Sequence, residues 1–141
     1  MTEDTHRQVA IERITNSHYT VTNARGGTIT VGTADSTDFS PVELLLTAIG
    51  ACTAIDVDIL TSRRAEPDSF RLDVGAEKLR DEKGRSYLAD ITVTFRIRFP
   101  EGEDGDKARA LLPDAVQRSH EQLCTVSRTV ELGTPVTPVI E

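Results

Sequence analysis

Cys52 and Cys124 are the only two cysteines of the chain, and they carry its most distinctive chemistry. A thiolate is the strongest ordinary nucleophile among side chains, and a second thiol can convert its oxidised form into a disulfide. Because the cytosol keeps thiols reduced, a cytosolic pair indicates catalysis, redox sensing or metal binding more often than a structural bridge. Free cysteine is also a common buried residue, so the surrounding sequence has to separate these alternatives.

Composition limits the classes of protein to consider. A length of 141 residues predicts a single domain over 1–141 with a core of its own, and 38% apolar with 28% charged residues is typical of a soluble globular chain. The net charge of −7 argues against a nucleic-acid or anionic-membrane partner. Glu43, Asp56 and Asp58 interrupt the longest apolar run, and we see no secretory signal. We therefore expect a cytoplasmic protein.

The first cysteine lies in a predicted apolar helix. Ser40 is placed as the N-cap, Pro41 as the first helical residue and Glu43 as the third, which completes a capping box. The helix is expected to run to about Ser62. It is apolar nearly all round, so we expect it to lie in the middle of the fold.

The rest of the chain alternates between strands and helices. Short strands are predicted at 9–14, 19–22 and 28–31, and a long hairpin at 70–76 and 87–99 with a charged turn at 80–85. A second helix is predicted from Asp106 to about Leu123, kinked or divided by Pro113, and a final strand at 134–140. Strand runs joined through hairpins and separated by helices predict an α+β protein with antiparallel sheets.

Two motifs resemble those of the OsmC-like proteins, which include the organic-hydroperoxide-resistance enzymes. One is Ser-Pro-Val-Glu-Leu-Leu-Leu followed by Ala-Ile-Gly-Ala-Cys52-Thr-Ala-Ile-Asp-Val, and the other is Cys124-Thr-Val-Ser-Arg-Thr-Val. The resemblance covers nearly the whole chain. It implies two central helices packed between antiparallel β-sheets in an intertwined homodimer.

The resemblance also implies an activity. Cys52 would attack a small organic hydroperoxide and become a sulfenic acid, Cys124 would condense with it to a disulfide, and a dithiol reductant would reset the pair. No cofactor or metal is implied. The alternative is a non-peroxidase dimer of the same family that binds a small apolar ligand or senses oxidants. A third alternative is a structural dimer with two inert buried cysteines.

The sequence departs from the peroxidases of the family at the start of the first helix. They carry a glutamate directly after the proline, where this chain has Val42, and Glu43 is better explained by the capping box. The peroxidases take an activating arginine from the N-terminal β region. Arg25 is the best-placed counterpart, and a solvated turn residue is the equally weighted alternative; Arg128, close to Cys124, is a second candidate.

Two further titratable residues lie one helical turn from the cysteines. Asp56 follows Cys52 and is expected to orient an arginine or to meet a polar interface, and His120 precedes Cys124, where it would lower its pKa, relay a proton or be partly exposed. The four residues together would in principle suit zinc, but no Cys-x-x-Cys element supports that reading.

Overall fold

The N-terminal unit of the chain is built on a three-stranded antiparallel sheet. The computed structural model describes residues 4–141, which divide into two compact units at Leu45/Leu46. Strands β1 (Val9–Thr15), β2 (His18–Asn23) and β3 (Thr28–Val31) pair in the order β1-β2-β3. All three strands were predicted within one residue of these bounds. The single domain over 1–141 stays a prediction.

Helix α1 (Pro41–Ser62) begins with the predicted capping box. The Ser40 N–H donates to Glu43 Oε1 at 3.0 Å, and the Glu43 N–H donates to Ser40 Oγ at 3.2 Å. Within one chain only one face of α1 is buried, formed by Ile49, Gly50, Thr53, Val57 and Thr61. The opposite face leaves Ile55 59% and Ile59 51% exposed. A single chain therefore covers α1 on one side only.

Strands β4 (Ser69–Arg80) and β5 (Ser86–Arg98) form the predicted long antiparallel hairpin. Its turn is closed by Asp81, whose carboxylate accepts the backbone N–H groups of Lys83 and Arg85 at 2.9 Å. Helix α1 approaches the hairpin at Gly50, where a Cβ atom would lie 2.5 Å from Val74 Cγ2. The absence of a side chain at Gly50 thus sets how closely the cysteine-bearing helix packs on β4.

Helix α2 (Glu103–Arg118) follows the hairpin and continues through Pro113. Of the two predicted effects of Pro113, division of the helix is wrong, and a kink stays a prediction. The regular helix changes only at Ser119, where it widens into a π-helical turn, Ser119–Leu123. Such turns are rare and occur frequently at functional sites.

A third helix, which the sequence analysis did not predict, precedes the segment where a C-terminal strand was expected. Helix α3 (Thr125–Leu132) ends at Gly133, which adopts the left-handed conformation with φ 65°. No strand forms at 134–140 in the part of the chain that the structure describes, so that prediction is wrong. Pro135 and Pro138 offer no N–H donor to a ladder, and Val136 is 91% exposed. The α+β class is confirmed.

The close approach at Gly105 allows a test of how tightly the loop after β5 packs against α2. A Cβ atom at Gly105 would lie 1.6 Å from the carbonyl oxygen of Pro100, which is backbone and has little freedom to move. We expect Gly105→Ala to lower the free energy of unfolding by about 2 kcal/mol or more through overpacking. Gly75→Ala is the control, since its Cβ would meet open space. Urea denaturation of both variants decides, and equal effects would contradict this account.

Candidate functional site: a thiol pair at the start of helix α3

The fold brings the two cysteines together although they are 72 residues apart in the sequence. Cys52 lies half-buried on α1, and Cys124 is fully buried between the π-helical turn and α3. The two thiols lie close enough to affect each other's ionisation, and both are free. Such proximity is what a disulfide requires, since its S–S bond is about 2.05 Å long.

Cys124 is the N-cap of helix α3. Its backbone is extended (φ −76°, ψ 101°), and its sulfur accepts the Ser127 N–H at 3.4 Å. The Ser127 hydroxyl lies 3.3 Å from the same sulfur. The first turn of a helix leaves N–H groups without a helical partner, and its dipole places partial positive charge there. A sulfur at this position is therefore held where a negative charge is favoured.

The surroundings shift the pKa values of the two thiols in opposite directions. Burial raises the pKa of the Cys52 thiol, and the contact with Cys124 and the charge of Asp56 add to the effect, against a hydrogen bond from the Val126 N–H. Burial also opposes ionisation of Cys124, but hydrogen bonds from the Ser127 side chain, Cys52 and the N–H groups of Ser127 and Val126 outweigh it. The pKa of Cys124 is thus lowered, and Cys124 is the thiol that ionises first.

Asp56 has a partner other than the one expected. Its Oδ2 accepts a hydrogen bond from the Ser119 hydroxyl at 2.8 Å. The expectation that Asp56 orients an arginine is not what the structure shows, since its partner is a neutral hydroxyl of the π-helical turn. The carboxylate is consequently fixed one helical turn beyond Cys52, where it disfavours a second negative charge.

His120 lies at the rim of an apolar cavity rather than against Cys124. Its Nε2 is 3.5 Å from Glu131 Oε1, and both side chains are 61% exposed. The cavity, of about 380 Å³, is lined mainly by aliphatic and aromatic side chains of α1, β5, α2 and α3 and reaches Thr53 and Ser127. The partly exposed reading of His120 therefore describes its position. Neither cysteine lines the cavity, but it reaches the residue after Cys52 and the third residue after Cys124, and it suits an apolar group.

The two candidate arginines lie at exposed positions. Arg25 belongs to the N-terminal unit, in the turn between β2 and β3, where Asn23 Oδ1 accepts its backbone N–H at 3.0 Å. Arg128 lies in α3, and its N–H donates to the Cys124 carbonyl at 3.1 Å as part of the helix. The roles suggested for both side chains stay predictions.

A zinc site is not formed. Among residues 4–141, no group of three or more histidine, cysteine, aspartate or glutamate side chains is arranged to hold a metal ion. His120 pairs with Glu131, and Asp56 accepts from Ser119, so the four candidate ligands do not converge.

Sequence reasoning missed three participants of the site: Ser127, Ser119 and Thr53. Helix α3 was detectable from Val126 and Val130 at helical spacing with Gly133 three residues after Val130. A Cys124 N-cap would then have placed Ser127 at the capped position. No local signal marks Ser119, because its partners come from α1.

Comparisons with known proteins agree with this architecture. A family model described as OsmC-like protein matches residues 32–139. An uncharacterized protein of Mycobacterium tuberculosis is 30% identical over 130 residues, which is 92% of each chain. The solved structure of an OsmC-like protein of unknown function from Vibrio cholerae has a TM-score of 0.74 at 11% identity, covering 91% of this chain and 95% of that one. The organic hydroperoxide resistance protein OhrB of Bacillus subtilis has a TM-score of 0.55 at 17% identity, covering 89% and 90%.

The capping geometry predicts how the pKa of Cys124 changes when the neighbouring Ser127 hydroxyl is removed. In a Cys52→Ser background, Ser127→Ala removes a hydrogen bond that favours the thiolate, so the pKa of Cys124 rises and less thiolate is present at neutral pH. Thiolate absorbance near 240 nm, followed against pH, measures the shift. Thr129→Ala is the matched control, because that hydroxyl donates to the Thr125 carbonyl within α3. A midpoint that stays in place or falls would contradict the role of Ser127.

Proposed function

This chain belongs to the OsmC-like family, and we propose that it is a thiol-dependent peroxidase that reduces organic hydroperoxides through a Cys52–Cys124 disulfide. The observation that carries the proposal is the pair of interacting thiols, in which the buried member is the N-cap of α3 and has a lowered pKa. The likeness in fold to an organic hydroperoxide resistance protein supports the same reading. Oxidative-stress defence is the corresponding role.

The two thiols divide the work according to exposure and charge. Cys52, the more accessible, attacks the hydroperoxide: a sulfur–oxygen bond forms, the O–O bond breaks, and the alcohol leaves with the proton that Cys52 gives up. The Cys124 thiolate, in contact with Cys52, is the base that first takes that proton. Arg25 is the proposed cation for the Cys52 thiolate.

The second step closes the disulfide. The Cys124 sulfur attacks the Cys52 sulfenic acid, an S–S bond replaces the S–OH bond, and water leaves with a proton. A dithiol reductant, oxidised in turn to its own disulfide, returns both thiols by exchange. The lowered pKa of Cys124 suits this role, since the thiolate is the attacking species.

The apolar cavity supports a second candidate function. A space of about 380 Å³ beside the thiols would hold the alkyl part of a hydroperoxide, and it would equally hold a small apolar ligand without any chemistry. A ligand-binding or oxidant-sensing dimer of the same family is therefore the alternative.

Helix α1 is long and apolar enough to cross a membrane, a test that core helices of soluble proteins also pass. Since α1 lies inside the matched family region, we propose a soluble cytoplasmic protein.

A brief exposure to equimolar cumene hydroperoxide tests the peroxidase. We expect the intact mass to fall by two hydrogens per chain and both thiols to disappear within seconds to minutes. Cys52→Ser should abolish the reaction, whereas Cys124→Ser should stop at a sulfenic acid that dimedone traps. Thiols unchanged over minutes would reject the peroxidase in favour of the ligand-binding alternative. Loss of peroxide by Cys52→Ser at the wild-type rate would reject Cys52 as the attacking residue.

A homodimer is the second part of the proposal, and the exposed face of α1 supports it. Ile55 and Ile59 lie one turn apart and leave a continuous apolar surface on a helix that the single chain covers on one side. We expect a solution mass twice the 15.4 kDa of one chain by light scattering. Ile55→Glu should shift the protein to monomers, while Ile140→Glu, at a residue 97% exposed near the C terminus, should not. A wild-type monomer would refute the dimer.

A further inference from the structure

A short chain of hydroxyl groups connects α1 to the π-helical turn. Thr53 Oγ1 and Ser119 Oγ are 2.8 Å apart, and Ser119 Oγ donates to Asp56 Oδ2 at 2.8 Å. Because the single Ser119 hydroxyl proton goes to the carboxylate, the Thr53 hydroxyl is the donor to Ser119. Thr53 is 7% exposed and Ser119 is fully buried, so water does not compete for either group.

Ser119 also holds the backbone of the second cysteine. Its carbonyl accepts the Cys124 N–H at 2.8 Å, which is the hydrogen bond that closes the π-helical turn. The hydroxyl of the same residue contacts Thr53, the residue directly after Cys52, and Asp56, one turn beyond Cys52. The buried residue Ser119 is thus hydrogen-bonded to both of the segments that carry the two sulfurs.

We propose that Ser119 is a positioning residue for the thiol pair, acting through Thr53 and Asp56 to set the separation of the Cys52 and Cys124 sulfurs and hence how readily they join. Without the hydroxyl, the hydrogen bonds that join Ser119 to Thr53 and Asp56 are lost. Disulfide formation depends steeply on the approach of the two sulfurs. This inference deepens the proposed function, since it concerns the same two cysteines, but it does not depend on any reaction with peroxide.

A simpler explanation is that Ser119 is only a buried hydrogen-bonding residue of the core. That role would lower the stability of the fold when the hydroxyl is removed and would leave the thiol–disulfide equilibrium of the folded protein unchanged. Thr61 supplies the comparison: it is fully buried on the same helix, and its hydroxyl donates to the Val57 carbonyl at 2.8 Å. It makes no link to the π-helical turn in that hydrogen bond.

The experiment measures the effective concentration of the thiol pair by equilibrating the full-length protein with reduced and oxidised glutathione, quenching with acid and counting disulfide by mass. We expect Ser119→Ala to lower the effective concentration about tenfold. For a two-electron couple this equals a shift of about 30 mV, and the reduction potential of the pair becomes less reducing. Thr53→Val should shift it in the same direction, and Thr53→Ser, which keeps the hydroxyl, should restore it. Thr61→Val should lower the melting temperature and leave the effective concentration unchanged.

Several outcomes overturn the inference. The inference fails if the effective concentrations of Ser119→Ala and Thr53→Val both stay within twofold of the wild type. It also fails if Thr61→Val changes the effective concentration as much as they do. In either case Ser119 would be only a hydrogen-bonding residue of the core. A wild-type pair that glutathione disulfide cannot oxidise would overturn it as well. Because the assay contains no hydroperoxide, a protein inactive toward cumene hydroperoxide still tests Ser119, and a peroxidase whose disulfide is indifferent to Ser119→Ala would refute this inference alone. If Ser119→Ala does not fold, Thr53→Val against Thr53→Ser decides.

Discussion

The site depends on one constraint: the first N–H groups of helix α3 have no partner within the helix and need an acceptor at its N-cap. Most helices solve this with a serine, threonine or aspartate oxygen at the N-cap. Here the sulfur of Cys124 takes that position and accepts the Ser127 N–H. A neutral sulfur is a weak acceptor, and a thiolate is a much better one, so the helix itself favours the ionised form. The start of α3 thereby lowers the pKa of a cysteine that burial alone would make harder to ionise.

The same arrangement separates the properties of two chemically identical residues. Cys52 donates toward Cys124, is half-buried and has the Asp56 carboxylate one turn away, and each of these keeps it protonated. Of the two thiols, Cys124 is therefore the one that loses its proton more readily. Ionising both would cost further free energy, because the two thiols interact directly. The proposed two-step oxidation uses each sulfur once as the nucleophile, and the different pKa shifts suit two different roles.

How much of this the sequence predicts follows from the range of each interaction. The capping box at Ser40 and Glu43 and the alternation along β4 and β5 are local patterns, and they gave correct elements. The C-terminal strand failed because Val136 and Ile140 are β-prone in composition, while Pro135 and Pro138 deny them a hydrogen-bonded neighbour. Ser119 bonds to residues of α1 that lie 63 and 66 positions away in the sequence. No local sequence pattern distinguishes such a buried, hydrogen-bonded serine from a serine on the surface.

The valine at position 42 fits this electrostatic picture. Where the related peroxidases carry a glutamate, Val42 offers no charge, and the neighbouring Glu43 accepts the Ser40 N–H at the start of the helix. The carboxylate nearest the thiols along α1 is instead Asp56, and it is held by a hydroxyl of the π-helical turn. The groups that lower the pKa of Cys124 lie instead at the start of α3, where they include the N–H groups of Ser127 and Val126. A backbone N–H is kept in every substitution except proline, so this contribution does not depend on which side chain stands at either position.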